Sequence, residues 1–240
     1  MNIALLSNPS SDNAQTAIAL LLDSVKQQAG TKLNIGYIAS EPDPQRQYYS
    51  QTQAMYQAHN AELNVYLELE SDFCESSLKS LLSCDVIHLS GGDTFRFLKA
   101  LKQQKLLPVL RQYSVDGGAI IGVSAGAMII TPSIASAPLC GDNNDCQLDD
   151  LTALNIVDFM FVPHATDKQL KDAQQPHQTK HQHTICFCPE TQPYFRYRVN
   201  SKLLASQYGK SRKDESRSLI NTFNPVTLEL KSARESIHQR

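Results

Sequence analysis

The stretch "IIGVSAGAMII", residues 120–130, decides how this chain is read. An apolar run ends at Gly122, one hydroxyl, Ser124, stands among Gly, Val and Ala, and the run resumes from Ala127 to Ile130. G-x-S-x-G at the end of a strand, opening a helix, is the pattern of a nucleophile elbow. The reason is steric. A sharp strand-to-helix turn pushes the serine into strained backbone space, and only small neighbours such as Gly122 and Gly126 leave room. The hydroxyl is then exposed above a helix end, where the N–H of Ala125 can stabilise an oxyanion. A tight turn in which Ser124 merely caps the helix also fits the five residues; their placement after an apolar strand favours the catalytic reading.

The flanking sequence alternates in the same sense. "NIALLS", "KLNIGYIAS", "AELNVYLEL", "DVIHLS" and "GGAIIGVS" read as five strands. Helical segments separate them: "DNAQTAIALLLDSVKQQAG", with Asp12 as N-cap and Gly30 as stop, then a polar helix opened by prolines after Glu41, "SSLKSLLSC" and "GGDTFRFLKALKQQ". Strands alternating with helices predict βαβ units and a mainly parallel sheet covered on both faces. Ligands of such sheets sit beyond the carboxyl ends of the strands, where "LSGGDT" and "GVSAGA" both fall. Further along, "FMFVPH" and "HTICFCPE" read as strands, with a polar segment between them that starts as a helix. "PYFRYRV" and "SLINTFNPVTLELK" suggest antiparallel edge strands, and the tail is polar. No repeat or linker divides the 240 residues, which read as one domain, 1–240.

Composition narrows the function. Apolar residues make up 41% and charged residues 19%, which is a soluble, globular balance. A net charge of −2 offers no basic footprint for nucleic acid and no strong pull to anionic membranes. No apolar run approaches the length of a spanning helix, and "MNIALLSNPS" reads as a first strand and not a signal peptide. The six cysteines follow no framework spacing and are read as reduced thiols of a cytoplasmic protein.

An oxyanion site needs a second donor. Gly91 and Gly92, in "LSGGDTF", can bring backbone N–H groups close to a carbonyl, while Asp93 or Thr94 caps the helix that follows. His164 follows an apolar strand and a proline in "FMFVPHATD", so it stands at a strand end. It fits either a base or a satisfied terminal histidine. Glu190, beyond "TICFCP", fits either a carboxylate orienting an imidazole or a solvated loop glutamate.

"SGGDTF", "GVSAGA", "PHATD" and "CPET" together resemble the S51 serine peptidases, the family of dipeptidase E and the cyanophycinases, from the N-terminus to about Gly209. The resemblance implies a three-layer α/β/α sandwich similar to class I glutamine amidotransferases (flavodoxin-like). It implies a Ser-His-Glu triad, matched here by Ser124, His164 and Glu190, with oxyanion amides on Gly92 and Ala125. The implied activity is hydrolysis of short peptides through an acyl-enzyme, with no metal or organic cofactor; a monomer or homodimer is expected. "SGGD" departs from the usual pattern, which has a third glycine and an asparagine. "PET" lacks the usual glycine after the acid. Preference for an N-terminal aspartate, as in dipeptidase E, would need a cation; the segment after His164 offers Lys168, Lys171 and Lys180 but no arginine. The substrate-binding residues stay unassigned.

Two alternatives remain open from the residues. An α/β-hydrolase-type esterase would take its acid from Asp149, Asp150 or Asp158, ahead of the histidine. A binding or sensor protein would keep the fold without a competent site. The elbow serine speaks against a glutamine amidotransferase, whose nucleophile is cysteine. The histidines of "HQTKHQH" (His177, His181, His183) lack ligand partners at metal spacing and read as a solvated loop. Cys186 and Cys188 alternate on one strand face and read as buried structural thiols.

Overall fold

A computed structural model describes residues 1–29, 32–173, 184–191 and 194–196. The regular half runs β1 (Asn2–Leu6), α1 (Asp12–Ala29), β2 (Leu33–Ile38), α2 (Gln47–Ala58), β3 (Ala61–Leu67), α3 (Glu75–Leu82), β4 (Val86–Leu89), α4 (Thr94–Gln103), α5 (Leu106–Val115), β5 (Ala119–Val123) and α6 (Ala125–Ile130). A long loop with a 3₁₀ turn at Ala137–Cys140 leads to β6 (Phe159–Val162), α7 (Asp167–Ala173), β7 (Thr184–Phe187) and β8 (Tyr194–Arg196).

The strand order is β3-β2-β4-β5-β1-β8. The first five strands pair in parallel, and β8 adds an antiparallel edge beside β1. The expected mainly parallel sheet is what forms. β6 and β7 make a separate parallel pair, Phe159 opposite Thr184 through Val162 opposite Phe187.

The three layers follow from strand alternation. Ile3, Leu5, Ile87, Leu89 and Ile120 face α3 to α6 on one side. Ala4, Leu6, Val86, Ile121 and Val123 face α1 and α2 on the other. Fully apolar strands are the mark of a sheet buried on both faces: β1, β4 and β5 are buried along their whole length.

Local chemistry sets the helix starts. Ala14 N–H donates to Ser11 Oγ at 3.3 Å, so Ser11 caps α1 in place of the expected Asp12, which becomes its first residue. The expected stop at Gly30 lies outside the described residues. Asp43 takes the N–H groups of Gln47 and Tyr48 at 3.1 and 3.0 Å. The proline segment is therefore a loop, and α2 starts later than its composition suggests. Asp93 caps α4 by accepting from Arg96 N–H at 3.0 Å. A helix absent from the sequence reading, α5, follows α4 after Lys105 turns the chain at φ 56°.

One polar group sits deep in the α1–α2 layer. His88 on β4 is 2% exposed. Its Nδ1 lies 2.9 Å from Tyr56 Oη, and its ring stacks on Tyr37 at 5.2 Å. Burial pushes its pKa from 6.5 down to about 3. The unfolded chain therefore protonates first as pH falls, and stability drains away from about pH 6.5 until the folded group titrates near about pH 3. Comparing urea unfolding of the wild type with His88→Phe should show the variant losing a slope of up to ~1.4 kcal/mol per pH unit between about pH 6 and 4.

Candidate active site

The site is built at the end of β5. Ser124 follows the strand with φ 49° and ψ −109°, a backbone conformation rarely adopted by a residue with a side chain. Such strain costs about 1–3 kcal/mol and needs surroundings that enforce it. Here the enforcement is backbone hydrogen bonding. Ser124 N–H donates to Leu6 O at 2.8 Å, Gly126 N–H to Ser90 O at 3.0 Å, and Ser124 O accepts from Ala127 and Met128 N–H.

The two glycines of the motif are demanded by contact. A Cβ on Gly122 would stand 2.5 Å from Gly126 O, and one on Gly126 would stand 2.2 Å from Leu89 O. These are backbone atoms of the turn and of β4, so neither can give way. The neighbouring loop is equally constrained. Gly92 has φ 139°, and a Cβ there would meet Ser40 Oγ at 2.2 Å. Ser40 Oγ donates to Gly91 O at 2.5 Å, and Ser40 N–H donates to Ser90 Oγ at 2.7 Å. A Cβ on Gly91 would lie 3.5 Å from Ser124 Cβ, so this loop runs directly beside the serine. Neither the Gly92 nor the Ala125 N–H has a hydrogen-bond partner among the described residues. Neither amide is committed to an acceptor within the fold, and Ala125 itself is buried. "SGGD", with Ser90 in place of glycine, uses that serine to hold the β2–α2 loop.

The three residues singled out by sequence meet. Ser124 Oγ is 2.9 Å from His164 Nε2, and His164 Nδ1 is 2.5 Å from Glu190 Oε1. They stand 40 and 26 positions apart in the chain. His164 is itself held at φ 55° just past β6. The residue that makes the meeting possible was not visible in the sequence. Ser7, just beyond β1, donates its hydroxyl to Cys188 O at 2.8 Å and accepts the His164 N–H at 3.3 Å. It ties the segment carrying the carboxylate to the one carrying the imidazole, and both to the central sheet. The only cue was a polar residue ending a buried strand.

The rival acids do not reach the imidazole. Asp150 pairs with Lys102 at 2.5 Å, and this contact together with Thr152 holds its carboxyl well below the usual carboxylate range. His164 has no recorded bond to Asp149 or Asp158 among the described residues. Cys186 and Cys188 are buried, and burial pushes their thiols up to about 12 and about 11. Lys168 and Lys171 are exposed on α7. Lys180 and the histidines at 177, 181 and 183 lie outside the described residues. So does most of the sequence read as further edge strands.

Solved structures share this architecture. A peptidase E candidate from Listeria monocytogenes EGD-e superposes with a TM-score of 0.58 over 81% of this chain and 93% of its own, at 22% identity. A peptidase from an acI-B1 actinobacterium does so with a TM-score of 0.56 over 82% and 83%, at 16% identity. The fold is that of the peptidase E-type α/β proteins. The sequence profile of Peptidase family S51 matches residues 3–193, and the chain belongs to that family. An uncharacterised peptidase of Pasteurella multocida is 34% identical over 110 residues, 45% of this chain and 53% of that one. Peptidase E of the same organism is 32% identical over 122 residues, 50% of this chain and 49% of that one. The chain thus spans about half the length of these curated relatives. No helix among the described residues is long and apolar enough to cross a membrane.

Because the elbow rests on backbone contact, Gly126→Ala should lower stability in urea unfolding by about 1–3 kcal/mol, the usual range for overpacking.

Proposed function

We propose that the chain is a serine peptidase acting on short peptides, with Ser124 as nucleophile, His164 as general base and Glu190 as its orienting acid. The hydrogen-bonded line from Ser124 Oγ through the His164 ring to Glu190 carries this reading. Membership of a peptidase family supports it.

The chemistry follows from the atoms. His164 Nε2 takes the Ser124 proton as Oγ attacks the peptide carbonyl. The C=O double bond opens, and the negative charge develops on oxygen beside the Gly92 and Ala125 N–H groups. The imidazolium then gives its proton to the leaving amine, the C–N bond breaks, and an ester joins the acyl group to Ser124. Water, deprotonated by His164, attacks that ester and frees the acid and the serine. Glu190 fixes the tautomer with Nδ1–H facing the carboxylate and stabilises the charged ring. We read residues 1–240 as one cytoplasmic domain that performs these steps with its own side chains and no metal or organic cofactor.

Removing the nucleophile tests the assignment. Ser124→Ala should lower kcat on short peptides by a factor on the order of 10⁴–10⁶ while the thermal midpoint stays near that of the wild type. A variant that hydrolyses peptides at the wild-type rate would falsify it. Glu190→Gln keeps the shape but leaves the wrong tautomer, and should cost about 10⁴ in kcat. Steady-state kinetics on the same peptides reads that loss.

A further inference from the structure

A cavity of about 850 Å³ opens on the other side of the Gly91–Gly92 loop. It lies at the upper end of the ~300–1,000 Å³ range of ligand pockets. Tyr37, His88 and Val123 line it from the sheet, Gly91 and Gly92 from the loop beside Ser124, and Glu41 and Asp43 from the β2–α2 loop. A ligand in it would touch Gly92, one of the two amides assigned to the oxyanion.

The charge of its walls is one-sided. Glu41 and Asp43 line it, and no lysine or arginine does so among the described residues. Glu41 Oε1 is 3.4 Å from where a Cβ on Gly92 would stand, which sets a carboxylate oxygen against the loop. That oxygen has no partner among the described residues; Arg96 Nη1 contacts only the other one, at 3.3 Å. Arg96 is committed mainly to Glu70, through Nε at 2.6 Å and Nη2 at 2.8 Å. Its pairing with Glu41 is about 40% exposed on both sides and therefore weak. Asp43 spends its oxygens on the N–H groups of Gln47 and Tyr48 and adds a second negative charge to the lining.

A buried group also points to an occupant. His88 is 2% exposed yet lines the cavity. Its Nδ1 is matched by Tyr56, but its Nε2 has no partner among the described residues. Nor is Nε2 sealed in: Ser114 Oγ is the one sealed, unpartnered side-chain atom among them. An occupant of the cavity that this ring lines can satisfy it. The ring stays neutral, so it adds no positive charge to the walls.

We propose that this cavity is the acyl-side specificity subsite, and that Glu41, with Asp43 behind it, selects a cationic group on the residue whose carbonyl Ser124 attacks. The cation is either the free α-ammonium of that residue or a basic side chain; both present N–H donors to a carboxylate. An acidic side chain meets repulsion there. This inference rests on the serine-peptidase reading and adds the substrate class to it.

The test uses the full chain and coumarin amides of lysine, norleucine and glutamate, each with a free or an acetylated α-amine. Wild type should turn over the cationic substrates with kcat/KM about tenfold above acetyl-norleucyl amide, equivalent to ~1.4 kcal/mol. Loss on acetylating the norleucyl amide identifies the α-ammonium as the source. Preference for acetyl-lysyl over acetyl-norleucyl amide identifies the side chain. In Glu41→Gln the ratio should fall toward one, mainly through KM. A fluorophosphonate probe read at Ser124 separates the two levels of failure. Labelling at Ser124 with turnover indifferent to charge, or favouring glutamyl amides, overturns this inference alone. Absence of both labelling and hydrolysis overturns the serine-peptidase reading and this inference with it.

Discussion

The backbone at Ser124 is the constraint on which the site depends. A residue with a side chain held at φ 49° gains nothing locally from that conformation. It is kept because the carbonyls of Leu6 at the end of β1 and of Ser90 just past β4 accept the Ser124 and Gly126 N–H groups, while the Ser124 carbonyl accepts from Ala127 and Met128 in α6. The approach is so close that Gly122 and Gly126 touch backbone where other residues carry a side chain. The end of β5, the start of α6 and the Ser90–Gly92 loop therefore form one block. The hydroxyl and the two unpaired amides are fixed relative to each other before any ligand arrives, which is what stabilising a developing oxyanion demands.

The histidine and the carboxylate come from outside that block, and a second set of backbone bonds aligns them. β6 and β7 run parallel without a register break. Past their ends Cys188 N–H donates to Val162 O and Ala165 N–H to Cys188 O, so the chain is still paired where His164 leaves it. Ser7 joins this pair to β1. The contact between His164 and Glu190 is substantially exposed, at 41% and 53%, and exposed ion pairs contribute little by themselves. Its geometry is imposed by the strands on either side.

Much of this was legible in one dimension. The βα alternation gave the parallel sheet, and the apolar runs flanking Ser124, His164 and Glu190 placed all three at strand ends. What escaped the sequence is what depends on contacts between distant segments. Ser7 looks like any polar strand terminus until Cys188 and His164 are seen on either side of it. The helix α5 was missed because Pro108 interrupts its pattern, although a proline in the first turn removes no helical hydrogen bond. The start of α1 was misplaced by one residue because Ser11 and Asp12 are both good caps, and only the backbone path chooses between them. The acidic cavity was invisible for the same reason as Ser7. Glu41 reads as an ordinary loop glutamate, and it comes beside Gly92 only after β2 and β4 have paired.

On the proposed reading, the two sides of the Gly91–Gly92 loop separate reactivity from selection. On one side stand Ser124, His164 and Glu190, fixed by β1, β5, β6 and β7. On the other are walls from the β1–α1 and β2–α2 loops and from α2, which make no hydrogen bond to those side chains among the described residues. The link between the sides is Ser40, whose hydroxyl and amide hold Gly91 and Ser90. A change at Glu41 or Asp43 alters the charge met by a ligand without moving the block that holds the serine. A change at Ser40 shifts the loop, and with it the Gly92 amide. Within this arrangement one geometry can serve ligands of different charge, because the residues proposed to read charge lie on loops and those proposed to react are clamped to the sheet.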